Sequence, residues 1–127
     1  ESRLRQPVVL TLGKAEAIEG EKIYKLNTAP YAKDGRTMLP FRFVGEIMNA
    51  QVSWEATTKT ASYILDGKII EVAIGSKNAK INQQPIILDT APELKEGSTM
   101  VPVRFITENL GAKVDWKPET KEVVIYP

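Results

Sequence analysis

"RTMLPFRFVGEIMNAQVSW", residues 36–54, comes back 62 positions later as "STMVPVRFITENLGAKVDW", residues 98–116. Sliding the 127-residue chain on itself by that offset pairs Gly13 with Gly75 and runs without a gap to Leu65 opposite Pro127; nineteen of the 53 pairs are identical. Chance identity at this composition gives only a few, so the sequence reads as two homologous units, 1–65 and 66–127. A free-standing unit of about 60 residues buries only about 60% of its unfolded surface, which predicts that the two pack on each other.

The same signals recur in the same order in each unit. A β-rich opening, "PVVLTLG" or "KIIEVAIG", ends at Gly13 or Gly75. A turn at Gly20-Glu21 or Asn82-Gln83 leads into "KIYKLN" or "PIILD", which read as strands. "TAPYAKDG" and "TAPELKEG" read as loops from their Pro, Gly and acidic content, followed by a short extended piece around Met38 or Met100.

Pro40 and Pro102 suit the first turn of a helix, where a missing N–H costs nothing. Phe43, Val44, Ile47 and Met48 then form one apolar stripe, matched by Phe105, Ile106 and Leu110. Asn49 and Gly111 fall at the same place past each helix, and both residue types tolerate the left-handed conformation that closes helices. Ala50, Val52 and Trp54, and likewise Ala112, Val114 and Trp116, alternate with polar residues as half-buried strands do. Asp66-Gly67, flanked by β-type residues, is a strong hairpin signal between the units.

The expected fold class is therefore α+β: two tandem homologous units, each a small antiparallel β-sheet covered by one short α-helix, joined by a β-hairpin.

Composition narrows the chemistry. Hydrophobic residues at 43% and charged residues at 26% describe a chain with a real core. The net charge of +1, with both signs interspersed, offers no basic stripe for nucleic acid, and no apolar run approaches a membrane span of about 18 residues. Without Cys or His the chain has no thiolate, no disulfide, and neither the commonest metal ligand nor the usual general base. No EF-hand spacing, phosphate loop, nucleophile elbow or privileged carboxylate pair occurs. No catalytic residue, metal site or cofactor is expected, and the chain is read as no enzyme. Starting at Glu1 rather than Met, it reads as a segment of a longer or processed polypeptide.

Taken together, "G-R/S-T-M-L/V-P-x-R-F", a helix, "A-x-V-x-W" and "T-K" before a last strand resemble the repeat of the copper amine oxidase N-terminal domain-like family, also called stalk domains. The resemblance covers nearly the whole chain. It implies a non-catalytic β-sheet and helix module of secreted or surface-attached proteins of Gram-positive-type and anaerobic bacteria, with other domains of a larger parent protein as partners. In copper amine oxidases this domain is an appendage, and the copper ligands belong elsewhere.

Trp54 and Trp116 are the residues most suited to stacking on sugars, but their strand pattern reads first as core. Arg42 and Arg104 precede Glu46 and Glu108 by four residues; a local contact with a loop or an aromatic face is the expected role, a carboxylate clamp the functional one. Tyr24, Tyr31 and Tyr63 are aromatic where the second unit has Ile86, Glu93 and Ile125, and Tyr31 is the candidate for an exposed binding residue. The leading expectation is an extracellular stalk or adhesion-type module that spaces or anchors other domains through protein or cell-wall contacts. The alternatives are a carbohydrate-binding module using exposed tyrosines for cell-wall glycan, and a pro-segment or regulator of an attached enzyme.

Overall fold

The computed structural model describes residues 6–127; the first five residues of the expected first unit lie outside the described residues. The molecule is α+β, mostly antiparallel strands with two short helices. In chain order the elements are β1 (Val8–Thr11), β2 (Glu16–Glu19), β3 (Lys22–Lys25), β4 (Tyr31–Lys33), β5 (Arg36–Pro40), α1 (Phe41–Met48), β6 (Gln51–Glu55) and β7 (Thr60–Leu65). They continue with β8 (Lys68–Ala73), β9 (Asn78–Ile81), β10 (Gln84–Ile87), β11 (Glu93–Lys95), β12 (Ser98–Pro102), α2 (Val103–Asn109), β13 (Lys113–Lys117) and β14 (Glu122–Tyr126).

Pairing of these strands departs from the expectation of one sheet per unit. The first sheet has the order β13-β14-β1-β2-β3, the second β10-β9-β8-β7-β6, and a central sheet β11-β12-β5-β4. Each sheet therefore draws strands from both sides of residue 65. The hairpin at Asp66-Gly67 explains the crossing: both residues have positive φ, 51° and 81°, as a two-residue type I′ turn demands. That turn locks β7 to β8 from Leu65↔Lys68 to Thr60↔Ala73, so the sheet runs straight through the boundary. The last strand then returns to the first, with Val8↔Ile125 and Leu10↔Val123. Short stretches that would each bury too little alone thus share one core.

The loop expectation for "TAPYAKDG" and "TAPELKEG" also needs correction. Each contains a three-residue strand, β4 or β11, that folds back on β5 or β12 across Asp34-Gly35 or Glu96-Gly97. A three-residue strand is too short to show periodicity, so the surrounding turn composition hid it.

Both helices begin just after their proline: Pro40 and Pro102 end β5 and β12 in extended geometry and stand at the N-cap. The helix closures follow expectation. The N–H groups of Asn49 and Ala50 reach the carbonyls of Glu46 and Gly45 at 3.2 and 2.9 Å; Gly111 and Ala112 reach Glu108 and Thr107 at 3.1 and 2.9 Å. Asn49 is left-handed and Gly111 has φ 99°, one backbone demand met by two residue types.

The core is one cluster built from all these layers, including Val8, Leu10, Leu39, Val44, Ile47, Ile70, Val101, Ile106 and Ile125. The stripe Phe43, Val44, Ile47 and Met48 is buried as expected. On α2 the fully buried side chains are Val103, Ile106 and Thr107, while Phe105 and Leu110 are only half-buried.

Candidate functional site

The two halves carry Trp on equivalent strands, yet the surroundings of the two rings differ. Trp54 on β6 is half-buried, with Phe41 at 6.3 Å between ring centroids. Phe41 also meets Tyr63 edge-on at 5.4 Å, and the Tyr63 hydroxyl donates to the Phe41 carbonyl at 2.8 Å. Tyr24 completes the cluster, its ring 5.3 Å from Phe43. Such edge-to-face contacts contribute beyond their buried area. Aromatic side chains therefore fill the space between α1 and the strands beside it.

Beside Trp116 the position that matches Phe41 holds Val103, and the one that matches Tyr63 holds Ile125, so both rings packed near Trp54 lack a counterpart there. A cavity of about 700 Å³ lies there, with Val103 and Phe105 of α2, Val114 and Trp116 of β13, and Ile87 and Leu88 at the end of β10 on its walls. Trp116 is 43% exposed and Ile87 70% exposed, large apolar faces left in water. The expectation that Trp116 sits in the core is thus wrong, because the neighbours that would have covered it are small.

A glycine adds to the contrast. A Cβ on Gly45 would lie 2.3 Å from Val52 Cγ1, so α1 presses on β6 as closely as a backbone allows. The position equivalent to Gly45 is Thr107, whose buried hydroxyl donates to the Val103 carbonyl at 2.9 Å. The contact between α2 and β13 accommodates a side chain that the contact between α1 and β6 excludes.

Charge at the cavity is paired. Arg36 Nη2 lies 2.5 Å from Asp89 Oδ2, and Arg104 Nη1 lies 3.0 Å from Glu108 Oε2. Exposed pairs of this kind contribute about 0–1 kcal/mol each. Thr90 also lines the cavity; its hydroxyl is buried and has no hydrogen-bond partner.

The candidate residues from the sequence are dispersed. Arg104 is at the cavity in its i,i+4 pair, whereas Arg42 places its guanidinium 5.2 Å from the Phe41 ring, a local aromatic contact rather than a clamp. Tyr63, expected among exposed tyrosines, is fully buried, and burial holds its hydroxyl well above the ordinary tyrosine range. Tyr24 is half-buried and donates to Glu19 Oε1 at 2.8 Å; burial first, then Glu19, raises its pKa.

Tyr31 is also half-buried and takes part in a strap across the central sheet. Its hydroxyl donates to Glu93, the residue 62 positions on; Lys33 Nζ reaches Glu93 at 2.9 Å, and Lys95 Nζ lies 4.5 Å from the Tyr31 ring. Tyr31 pairs with Met38 and Glu93 with Met100, so this polar strap shares a face with two fully buried methionines. Burial and Glu93 raise the Tyr31 pKa, while the Tyr31 hydroxyl and Lys33 lower that of Glu93.

Sequence reasoning missed the cavity although its signal was present. Comparing positions 62 apart shows four rings of the first half without a counterpart, Tyr24, Tyr31, Phe41 and Tyr63, and the last two pack beside Trp54. Those rings are filler, and the site lies in the half that lacks them. Among the described residues, no group of three or more Asp, Glu, His or Cys is arranged to hold a metal ion.

A family profile described as "Copper amine oxidase N-terminal domain" matches residues 8–125. A protein named "Protease inhibitor" from Brevibacillus choshinensis is 35% identical over 98 residues, which is 76% of this chain and 30% of that protein. The chain thus spans less than a third of that relative's length. With the profile matched from the first strand to the last, the chain belongs to the copper amine oxidase N-terminal domain family.

Proposed function

We propose that this chain is a non-catalytic interaction module of a secreted or cell-surface bacterial protein, one that spaces or anchors neighbouring domains by gripping another protein chain. The observation that carries the proposal is the cavity beside Trp116, a recess of about 700 Å³ with an apolar wall around Trp116 and Phe105 and a polar one that includes Arg36, Asp89 and Glu108. Recesses of about 300–1,000 Å³ with apolar walls and a few polar groups are the usual form of binding sites. The tyrosine-based carbohydrate reading gains nothing from the geometry, since Tyr63 is buried and Tyr24 and Tyr31 are each engaged with a carboxylate. The two homologous stretches are read as copies of one unit whose last strands have been exchanged between sheets.

A second reading is favoured by the relative's name. A module related to a protein called a protease inhibitor acts, on this view, as a regulator of an enzyme attached to it or met outside the cell. One experiment addresses both readings. The Trp116 fluorescence of a Trp54→Phe variant is titrated with secreted bacterial proteases, with other surface proteins and with cell-wall glycan. Saturable change with a protein supports the module; stoichiometric loss of protease activity assigns it to regulation. Saturation by glycan alone contradicts both readings.

A further inference from the structure

Two seams join the halves of the molecule, and they are built alike. At one, β7 pairs with β8, Tyr63 opposite Ile70 and Ser62 opposite Glu71. At the other, β14 pairs with β1, Ile125 opposite Val8 and Val124 opposite Val9. A shift of 62 positions turns one set of pairs into the other, so the two seams share one register. Their closures differ. The Asp66-Gly67 turn ties β7 to β8 covalently beside six residue pairs, whereas β14 and β1 are the last and first strands, held by four pairs and no turn.

The open seam decides how the molecule meets a pull. Because β1 starts where β14 ends, the two ends of the fold lie side by side at the pair Val8 and Ile125. Tension between them acts across the strands, along the ladder hydrogen bonds, and loads one pair at a time from that end. Sliding the strands past one another would instead load all four pairs together. Forced opening is set by the rate of crossing the unfolding barrier, and a ladder broken in single steps yields at lower force. At rest the core holds the seam shut: Val8, Leu10 and Ile125 are fully buried, and Val123 nearly so. At the far end of the ladder the Leu12 N–H donates to the Lys121 carbonyl at 3.0 Å.

We propose that the seam between β1 and β14 is a tension-released joint. It holds the two ends together while the chain is slack, and it unzips from Val8 and Ile125 inward when they are pulled apart, so that the module lengthens under load. The Asp66-Gly67 hairpin keeps the two halves connected as the other seam opens. The partners such a joint serves are domains attached at its two ends, which leave it side by side rather than at opposite poles. The joint follows from strand order and register and owes nothing to the recess beside Trp116.

Single-molecule pulling tests the joint. Enzymatically coupled tags at the two ends of the chain pull the seam apart pair by pair. Moving the second handle to Glu119→Cys, in the exposed turn before β14, drags β14 along β1 instead. End-to-end pulling is expected to open the molecule at about half the force of the Glu119→Cys geometry or less.

The chain has no cysteine of its own, so paired substitutions give unique cross-links. Residues directly opposite each other on antiparallel strands stand at a spacing that a disulfide spans. Val9→Cys with Val124→Cys is expected to abolish the low-force event when oxidised and to restore it when reduced. Ser62→Cys with Glu71→Cys, the same register at the hairpin seam, is expected to leave that event in place in both states. Each locked chain is compared with its own reduced form, so a folding defect of the substitutions cannot imitate the lock. Equal forces in the two geometries, a low-force event that survives the lock at Val9 and Val124, or one that disappears with the lock at Ser62 and Glu71 would overturn the inference.

Discussion

Phe41 and Val103 occupy equivalent places at the start of the two helices, and the difference between them organises the molecule. Around Phe41 the rings of Trp54 and Tyr63 close the space beside α1, and Tyr24 packs on Phe43 of the same helix. Around Val103 the same space is a recess that leaves Trp116 nearly half in water. The backbone is the same in both places: β6 and β13 have equal length, and both helices close with the same pair of hydrogen bonds. One scaffold can therefore be a core on one side and a surface on the other, with side-chain volume alone deciding which.

That comparison breaks if the two tryptophans behave alike on truncation. Trp54→Ala removes a half-buried ring packed on Phe41 and is expected to cost about 3 kcal/mol, the low end for large-to-small core changes. Trp116→Ala is expected to cost about 1 kcal/mol or less, the ordinary range for surface positions. Denaturant unfolding of the two variants checks this, and equal losses would show that Trp116 is as much core as Trp54.

A smaller effect sharpens the contrast between the helices. Gly45→Ala places a methyl group where Val52 Cγ1 already stands, and overpacking of this kind costs about 1–3 kcal/mol. Thr107→Ala, at the equivalent position on α2, removes one buried hydrogen bond and is expected to cost about 1 kcal/mol. Thermal melts that put Thr107→Ala above Gly45→Ala in cost would contradict the tighter seating of α1.

The smallest effect at neutral pH concerns Tyr63. Its buried hydroxyl titrates above the unfolded value of about 10, so the folded state holds a proton that the unfolded state releases. Its contribution is complete below pH 10 and is lost as pH rises above it. Tyr63→Phe should cost about 1 kcal/mol at pH 7, by removing one buried hydrogen bond to the Phe41 carbonyl, and should make the alkaline loss of stability less steep. An unchanged alkaline slope would mean that the Tyr63 hydroxyl is not sealed in the aromatic cluster.

Much of this was legible in the sequence for a physical reason. Short-range demands leave local marks: Asp66-Gly67 for a type I′ turn, Asn49 and Gly111 for left-handed closures, Val52 and Val114 for alternating strands. What the marks do not record is which strand pairs with which once several hairpins compete. The return of β14 to β1 depends on the shared core, and no residue near either strand announces it. The site left only a non-local mark, since Trp116 carries the same local pattern as Trp54. Only the volume of Val103 and its neighbours, remote in sequence from the ring they fail to cover, tells the two apart.

Acrylamide quenching of two single-tryptophan variants tests the central claim most directly, with Trp54→Phe reporting on Trp116 and Trp116→Phe reporting on Trp54. Quenching of Trp116 is expected to be at least two-fold stronger, and to fall to the Trp54 value when Val103→Phe fills the recess. Equal quenching of the two rings, or a Trp116 signal indifferent to Val103→Phe, would contradict it.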